Sequence, residues 1–150
     1  MTGVGCPVNM SRKVSRQEMF RVVDANYNRA KEGLRVCEEV ARFILESKDL
    51  TSRFKKLRHK IDSLFVIFPD RYKLMRVRYA ESDVGRDIYA GELKRKNCKD
   101  IFFANIQRTK ESLRVLEEFS KLKDIKAAVG FKKVRYSVYE IEKKVARRLK

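Results

Sequence analysis

The chain has 150 residues, 43% of them hydrophobic, which is enough for one domain with a core and too little for two ordinary domains. Lys and Arg outnumber Asp and Glu by 37 to 20, and the formal net charge of +17 predicts anionic partners such as phosphorylated metabolites, nucleotides, nucleic acid or an anionic membrane. The three cysteines form no C-x-x-C, which argues against a disulfide framework or a zinc site and favours a reducing cytosol.

The first 14 residues, MTGVGCPVNMSRKV, lack the apolar segment of a signal peptide. No apolar run approaches the roughly 20 residues that span a bilayer. We therefore expect a flexible tail over residues 1–14, or an upstream start codon, followed by one helical domain over 15–150. We expect the protein to be cytoplasmic and without a membrane partner. The 38% of charged residues and the two glutamines resemble the composition of proteins from heat-loving organisms.

The first element is a long amphipathic helix over about residues 15–46. SRQE at Ser15 is a capping-box signature. Apolar residues follow at spacings of three and four, typical of a helix: Phe20, Val23, Tyr27, Ala30, Leu34, Cys37, Ala41 and Ile44. Val36, Val40 and Phe43 widen this face to about 200°, so the helix should contact two neighbours.

A second helix follows, with Asp49 or Thr51 as its predicted cap. Its buried stripe is Phe54, Leu57, Ile61, Leu64 and Phe68. Pro69 ends it, because the residue before a proline avoids the helical region, and a short helix should extend to about Met75. Residues 78–94 form the one long irregular stretch that the sequence predicts, and loops of this length are often functional.

A third helix is predicted over about 97–122 and a fourth over about 124–149. ANIQRTKESLRVLEEFSK at Ala104 matches ANYNRAKEGLRVCEEVAR at Ala25 in ten of eighteen positions, and FKKVRYSVYEI at Phe131 matches FKKLRHKIDSL at Phe54. We predict an all-α fold, an internally duplicated pseudo-two-fold four-helix bundle. Repeat one spans 15–68, a connecting short helix and loop span 69–96, and repeat two spans 97–150.

Polar residues repeat as well as apolar ones. One group points away from the apolar face, where i,i+3 and i,i+4 ion pairs on a solvated surface are the simpler interpretation: Lys31, Arg35, Glu38 and Glu39, with Lys110, Arg114, Glu117 and Glu118 as counterparts.

Asn26 and Arg29 lie inside the wide apolar face beside Gly33, with Glu32 at its edge. An arginine that faces inward must be paired or must bind an anion, because an unpaired buried charge is costly. One interpretation is internal Arg29–Glu32 and Arg108–Glu111 pairs. The other is two guanidinium groups in a cleft between the repeats, where their geometry suits phosphate.

The loop sequence SDVGRD supplies Asp83, Gly85 and Asp87, which either form a simple turn or hold Mg²⁺ beside phosphates. His59, the sole histidine, lies off the apolar stripe and is predicted to be at the surface. The chain contains no P-loop, dinucleotide fingerprint, zincin motif or Ser-His-Asp pattern.

The phrases DANYNRAKEGLRVCEEVARF, LRH, SDVGRD and ANIQRTKESLRVLEE, in this order, resemble the helical domain found in front of some bacterial thiamine-phosphate synthases. The resemblance covers about residues 20–122. It implies a hydroxymethylpyrimidine-phosphate kinase that uses ATP and Mg²⁺ to form the diphosphate for thiamine assembly. Residues that match its motifs include Asp24, Asn26, Arg29, Glu32 and Arg35, then His59, Arg78, Asp83, Gly85 and Asn105, and then Arg108, Glu111, Arg114 and Glu118.

Phosphoryl transfer mainly needs positioning and charge neutralisation, and from this requirement we predict specific roles. Arg29, Arg108 and Arg78 grip phosphates, and Asp83 with Glu111 or Glu32 holds Mg²⁺ or orients the attacking phosphate. Asn26 and Asn105 read the aminopyrimidine or fix the arginines. Arg35, Arg114 and Gly85 complete the predicted substrate-binding set.

The sequence departs from the family in two ways. The (β/α)₈ barrel of the synthase, which needs about 200–250 residues, is absent, so this chain is not itself the synthase. Arg86 follows Gly85 where the family often has a hydroxyl residue. Two other functions remain open. The chain could be a non-catalytic module that binds thiamine precursors or docks a separate thiamine-phosphate synthase. Nucleic-acid binding through the basic surface is less favoured, and a homodimer is compatible with either.

Overall fold

The computed structural model describes residues 9–68, 70–87 and 93–150, and these residues form an all-α domain. Its five α-helices are α1 (Arg16–Glu39), α2 (Lys48–Phe65), α3 (Arg71–Met75), α4 (Cys98–Ser120) and α5 (Ile125–Ala146). A π-helical turn, Val40–Ile44, extends α1, and a 3₁₀ turn, Ala80–Ser82, lies in the connecting segment. The predicted fold class is thereby confirmed. The predicted tail over residues 1–8 and loop residues 88–92 lie outside the described residues.

Side-chain caps define where the helices begin. Ser15 and Glu18 form the predicted capping box on α1. The side chains of Asn97 and Asp124 cap α4 and α5. The predicted cap of α2 is wrong: the Ser47 hydroxyl accepts from the backbone N–H of Leu50, and Asp49 lies in the first turn. Ahead of α1, Arg12 bonds Glu18 at 2.6 Å, so the described end of the predicted tail contacts the helix.

Four helices pack in a ring, α1 against α2 and α4, and α5 against α4 and α2. Phe54, Phe102 and Phe131 are fully buried between them. Of the predicted stripe of α2, Phe54, Ile61 and Phe68 are buried while Leu57 and Leu64 are half-buried. Along α5 the apolar residues at spacings of three and four are all buried: Ala127, Phe131, Val134, Val138, Ile141 and Val145. No helix in residues 9–68, 70–87 and 93–150 is long and apolar enough to cross a bilayer.

The π-helical turn corrects the prediction for the end of the first helix. The N–H of Leu45 donates to the carbonyl oxygen of Val40, five residues earlier, at 3.0 Å. A π turn inserts one residue and shifts every later side chain around the helix axis. Phe43 and Ile44 are consequently each 60% exposed, although periodicity placed them on the apolar face.

Candidate active site

The candidate site is a cleft along the antiparallel pair α1 and α4. Cys37 Sγ lies 3.8 Å from the carbonyl oxygen of Phe102, and a Cβ on Gly33 would overlap Thr109 Oγ1 and lie 2.8 Å from the carbonyl oxygen of Asn105. These contacts set the register, which brings Arg29 level with Glu111 and Glu32 level with Arg108. Gly33 permits the close approach of the two backbones that forms the floor.

Two joined chambers make up the cleft. The axial chamber, about 530 Å³, lies between α1 and α4. The side chamber, about 630 Å³, lies between α1 and residues 77–83. Asn26, Arg29 and Glu32 line both chambers, so the two spaces adjoin each other at these residues. The axial chamber is further lined by Gly33, Gly85, Asn105, Arg108, Glu111, Ser112 and Val115.

The two asparagines are oriented by their own helices. Asn26 Nδ2 donates to the carbonyl oxygen of Val22 at 2.9 Å, and Asn105 Nδ2 donates to that of Ile101 at 2.8 Å. Because the amide nitrogen must be the donor in each bond, Oδ1 of each residue is the remaining acceptor. The cleft is thus supplied with two amide oxygens from corresponding positions of the two repeats.

Arg29 and Arg108 are exposed to the cleft. Neither makes an ion pair with a carboxylate in the described part of the chain, so the internal Arg29–Glu32 and Arg108–Glu111 pairs do not form there. Glu111 instead accepts from Gln107 Nε2 at 3.0 Å. Two guanidinium groups in one cleft without carboxylate partners can bind a phosphate or diphosphate through bidentate hydrogen bonds.

The connecting segment is anchored to α1 by an ion pair. Arg78 Nε and Nη2 donate to the two carboxylate oxygens of Asp24, both at 2.7 Å. This bond raises the pKa of the Arg78 guanidinium, which stays a cation. Asn28 Nδ2 donates to the backbone carbonyl oxygen of Asp24 at 2.9 Å. Asp24 therefore holds the Nε–Nη2 edge of Arg78, and the N–H groups left for a ligand are the two on Nη1 and the second one on Nη2.

Asp83 and Gly85 lie at the mouth of the cleft. Asp83 Oδ1 accepts the backbone N–H of Gly85 at 2.8 Å and Asp83 lines the side chamber, whereas Gly85 lines the axial chamber. No three His, Cys, Asp or Glu side chains within the described ranges are grouped to hold a metal ion. Mg²⁺ needs no such cage, since it is held by one or two carboxylates together with substrate phosphates. Asp83, Glu32 and Glu111 supply hard oxygen ligands that fit this pattern.

Arg35 and Arg114 lie outside the cleft. Arg35 pairs with Glu38 at 3.3 Å, and Arg114 pairs with Glu117 at 3.1 Å and Glu118 at 3.0 Å. The i,i+3 and i,i+4 pairs predicted for these two arginines form, but the predicted solvated surface is wrong for Glu38 and Glu117, which are buried. The structure does not bring either arginine to the predicted substrate site. His59 is exposed on α2, as predicted.

Matching contacts recur in the two repeats. The buried Glu38 carboxylate binds Arg58 at 2.6 Å, and the buried Glu117 carboxylate binds Arg135 at 2.8 Å. Lys31 pairs with Asp62 and Lys110 with Glu142. The Glu38–Arg58 and Glu117–Arg135 bonds thus join aligned residues, whereas Asp62 aligns with Tyr139 and not with Glu142. The pseudo-two-fold relation itself stays a prediction from the repeated sequence.

Two cleft residues were given no role from the sequence. Asp24 matches a family motif, but its function emerges only from its contact with Arg78, and Tyr79 was not singled out. A signal for Asp24 exists in the repeat: its counterpart, 79 positions later, is the apolar and half-buried Phe103. An acid that replaces an apolar residue on a packed helix face requires a cationic partner.

The fold and the cleft define a small helical domain with a polar, arginine-bearing site between two antiparallel helices. Residues 21–144 match the family model described as "ThiD2 family", and the chain belongs to that family. The family resemblance inferred from the motifs is therefore confirmed.

The chain is similar to proteins named thiamine-phosphate synthase. It is 37% identical over 132 residues to the one from Synechocystis sp., covering 87% of this chain and 37% of that protein. It is 38% identical over 133 residues to the one from Rhodopirellula baltica, covering 85% and 35%. The match to the Nostoc punctiforme protein is 38% over 128 residues, with the same coverage of 85% and 35%. The chain thus spans about a third of the length of these relatives. No solved structure matches it.

Proposed function

We propose that this protein acts in thiamine biosynthesis as a kinase that converts hydroxymethylpyrimidine phosphate and ATP into the pyrimidine diphosphate and ADP. The observation that carries the proposal is the pair Arg29 and Arg108, which face one cleft without carboxylate partners in the described residues. Family membership and relatives named thiamine-phosphate synthase supply the pathway and the substrate class.

The reaction needs positioning and charge neutralisation more than proton transfer. An oxygen of the acceptor phosphate attacks the γ-phosphorus of ATP, the bond from that phosphorus to the β–γ bridging oxygen breaks, and ADP leaves. The second pKa of a phosphate monoester is about 6, so the attacking oxygen is already deprotonated at neutral pH. A catalytic base is unnecessary, which agrees with the position of the sole histidine on an exposed face of α2.

The residues that bind the two phosphates come from α1 and α4. Arg29 holds the acceptor phosphate from α1, and Arg108 holds the γ-phosphate from α4, so that the two phosphates meet in the axial chamber. Asp83, Glu32 and Glu111 are the residues that would hold Mg²⁺. When bound, the ion neutralises charge that develops on the phosphate oxygens. The Nη1 edge of Arg78 can add a further hydrogen bond.

Diphosphate formation from hydroxymethylpyrimidine phosphate, ATP and Mg²⁺ tests the proposal. We expect Arg108→Ala to lower kcat/KM about 100-fold or more, since it removes a charged donor from the transition state. Asp83→Asn should lower turnover while its amide oxygen still accepts the N–H of Gly85. Arg53→Ala is the matched control, because Arg53 lies on α2 and pairs, within the described residues, only with the exposed Asp49. This substitution changes the net charge by the same amount as Arg108→Ala.

Undiminished turnover by well-folded Arg108→Ala would remove the assigned role of this arginine. A second candidate function is a non-catalytic module that binds the pyrimidine phosphate for a separate thiamine-phosphate synthase. The observation that favours it is that Asp83 lines the side chamber and Glu111 the axial chamber, so these two carboxylates do not face one space. Tight pyrimidine phosphate binding by wild type without ATP turnover would replace the kinase proposal by this one.

A further inference from the structure

The side chamber breaks the symmetry of the cleft. Arg29 and Arg108 come from corresponding positions of the repeats, but the side chamber is walled by residues 77–83, which belong to neither repeat. One half of the cleft therefore has an additional space adjoining its arginine. A cleft of this kind can bind two different phosphorylated molecules in a fixed orientation.

Side chains hold this wall on α1. Asp24 binds Arg78 through two hydrogen bonds, and next to it the Tyr79 ring lies 5.4 Å from the Arg21 guanidinium carbon. The Tyr79 hydroxyl accepts from Gln17 Nε2 at 3.3 Å. A guanidinium over an aromatic face and a bidentate carboxylate pair are both directional contacts. They hold Tyr79 at the edge of the chamber, where the residue is 49% exposed.

The lining of the side chamber suits a flat heterocycle that carries an amine. Its apolar part is formed by small side chains and one aromatic ring: Val22, Ala25, Val77, Ala80 and Tyr79. Its acceptor is Oδ1 of Asn26, whose amide nitrogen is committed to Val22. An aromatic face stacks on a base, and an amide oxygen accepts from an exocyclic amine.

We infer that the side chamber binds the aminopyrimidine ring of the acceptor, with Tyr79 as its stacking wall, and that ATP reaches the axial chamber from the α4 side. The identity of the ligand rests on the proposed function. The choice between the two substrates rests on distance. The chambers share Asn26, Arg29 and Glu32, so a ring in the side chamber lies directly beside the Arg29 phosphate site.

Of the two substrates, only the pyrimidine phosphate has its phosphate close enough to its ring to occupy both positions. Its phosphate is separated from its ring by one methylene group, whereas the γ-phosphate of ATP is separated from adenine by a ribose and two phosphates. An adenine in the side chamber would leave the α-phosphate, not the γ-phosphate, beside Arg29. Tyr79 is thus a specificity-determining residue for the acceptor, and Asp24 is a positioning residue that acts through Arg78.

Equilibrium binding by calorimetry tests this inference without requiring turnover. The probes are hydroxymethylpyrimidine phosphate, a non-hydrolysable ATP analogue and inorganic diphosphate. We expect Tyr79→Ala to weaken pyrimidine phosphate binding about 10-fold, the loss that follows removal of a stacking ring. Binding of the ATP analogue and of diphosphate should stay within about twofold of wild type. Tyr79→Phe keeps the ring and should bind the pyrimidine phosphate nearly as wild type does. Tyr72→Ala, which removes an exposed tyrosine on α3, is the matched control.

Three results would overturn the inference: an unchanged pyrimidine phosphate affinity in Tyr79→Ala, a loss confined to the ATP analogue, or an equal loss for both ligands in a variant that melts like wild type. The kinase proposal fails separately. If wild type binds the pyrimidine phosphate and shows the Tyr79 effect but forms no diphosphate, the chamber assignment stands and the catalytic assignment is lost. If turnover is normal in Tyr79→Ala, with an unchanged KM for the pyrimidine phosphate, the catalytic assignment stands and the chamber assignment is lost.

Discussion

Gly33 lies where the backbones of α1 and α4 approach most closely beneath the cleft, and replacing it by alanine tests this geometry. The new Cβ would overlap Thr109 Oγ1 and lie 2.8 Å from the carbonyl oxygen of Asn105. A backbone carbonyl inside a helix cannot rotate away, and a buried β-branched side chain has few alternatives. The helices must therefore separate.

The expected loss of stability in Gly33→Ala is the difference between an overpacking cost and a gain in helix propensity. Overpacking of this kind destabilises by about 1–3 kcal/mol, and a backbone neighbour places Gly33 at the upper end. Alanine in a helix interior is about 1 kcal/mol more favourable than glycine. Gly33→Ala should consequently lower the free energy of unfolding by about 2 kcal/mol, and Tm by about 4–8 °C for a domain of this size.

Gly130 provides the matched control within the same chain. It is also a helix-interior glycine, and a Cβ there would overlap Leu64 Cδ2 and lie 3.1 Å from Cδ1. Those atoms are the end of a half-buried side chain that can change rotamer, at about 0.5–1.5 kcal/mol. The gain in helix propensity offsets this, so Gly130→Ala should be within about 1 kcal/mol of wild type. Urea unfolding followed by circular dichroism measures both variants. Equal stability changes for the two variants would refute the argument that the close approach of α1 and α4 requires glycine.

Three further predictions concern ionisable groups and thiols. Arg58→Ala and Arg135→Ala should each lower the free energy of unfolding in urea by about 2–4 kcal/mol. Each variant leaves a buried glutamate with one exposed arginine as its remaining ion-pair partner in the described residues. A difference of more than about 2 kcal/mol between the two variants would contradict the equivalence of the two repeats. The Arg12 hydrogen bond lowers the pKa of Glu18 to about 2, so its stabilisation of the α1 terminus should be complete above the ordinary glutamate pKa and be lost as pH falls through about 2. A carbon-detected NMR titration checks this, and an unchanged Glu18 pKa in Arg12→Ala would contradict it. Burial raises the pKa of the Cys37 thiol, so a thiol reagent should label half-buried Cys98 first and Cys37 only after unfolding, as mass spectrometry of labelled peptides can show.

Periodicity and capping predicted most of the helices, because these signals are local. Asn97 and Asp124 stand where a cap is needed, and Phe131, Val134 and Val138 keep one phase along α5. The end of α1 could not be obtained in this way. Val40 and Ala41, the first two residues of the π turn, are buried as the periodicity predicts. The spacing of apolar residues therefore does not reveal the π turn, which leaves Phe43 and Ile44 exposed.

The sequence left two positions open for Arg29, an internal ion pair or a cleft between the repeats. The structure leaves Arg29 exposed in the cleft, while Asn26, three residues earlier, is only 7% exposed. The repeat identified which polar residues to examine, but the distinction between an internal ion pair and an open cleft depends on the distance between α1 and α4, which no single sequence encodes locally.

The two halves of a duplicated site must differ before the site can bind two different substrates in a fixed orientation. The repeat supplies equal arginines, asparagines and glutamates to both halves, and by itself would bind two identical anions. The halves differ at Asp24, opposite in the alignment to Phe103, and at Asn28, opposite to Gln107. Asp24 binds Arg78 directly and Asn28 Nδ2 donates to Asp24 Oδ1 at 3.3 Å, whereas Gln107 donates to Glu111 within its own helix. The departures from the repeat therefore coincide with the contacts that attach the connecting segment to one half alone, and that attachment is what would separate an acceptor subsite from a donor subsite in the proposed reaction.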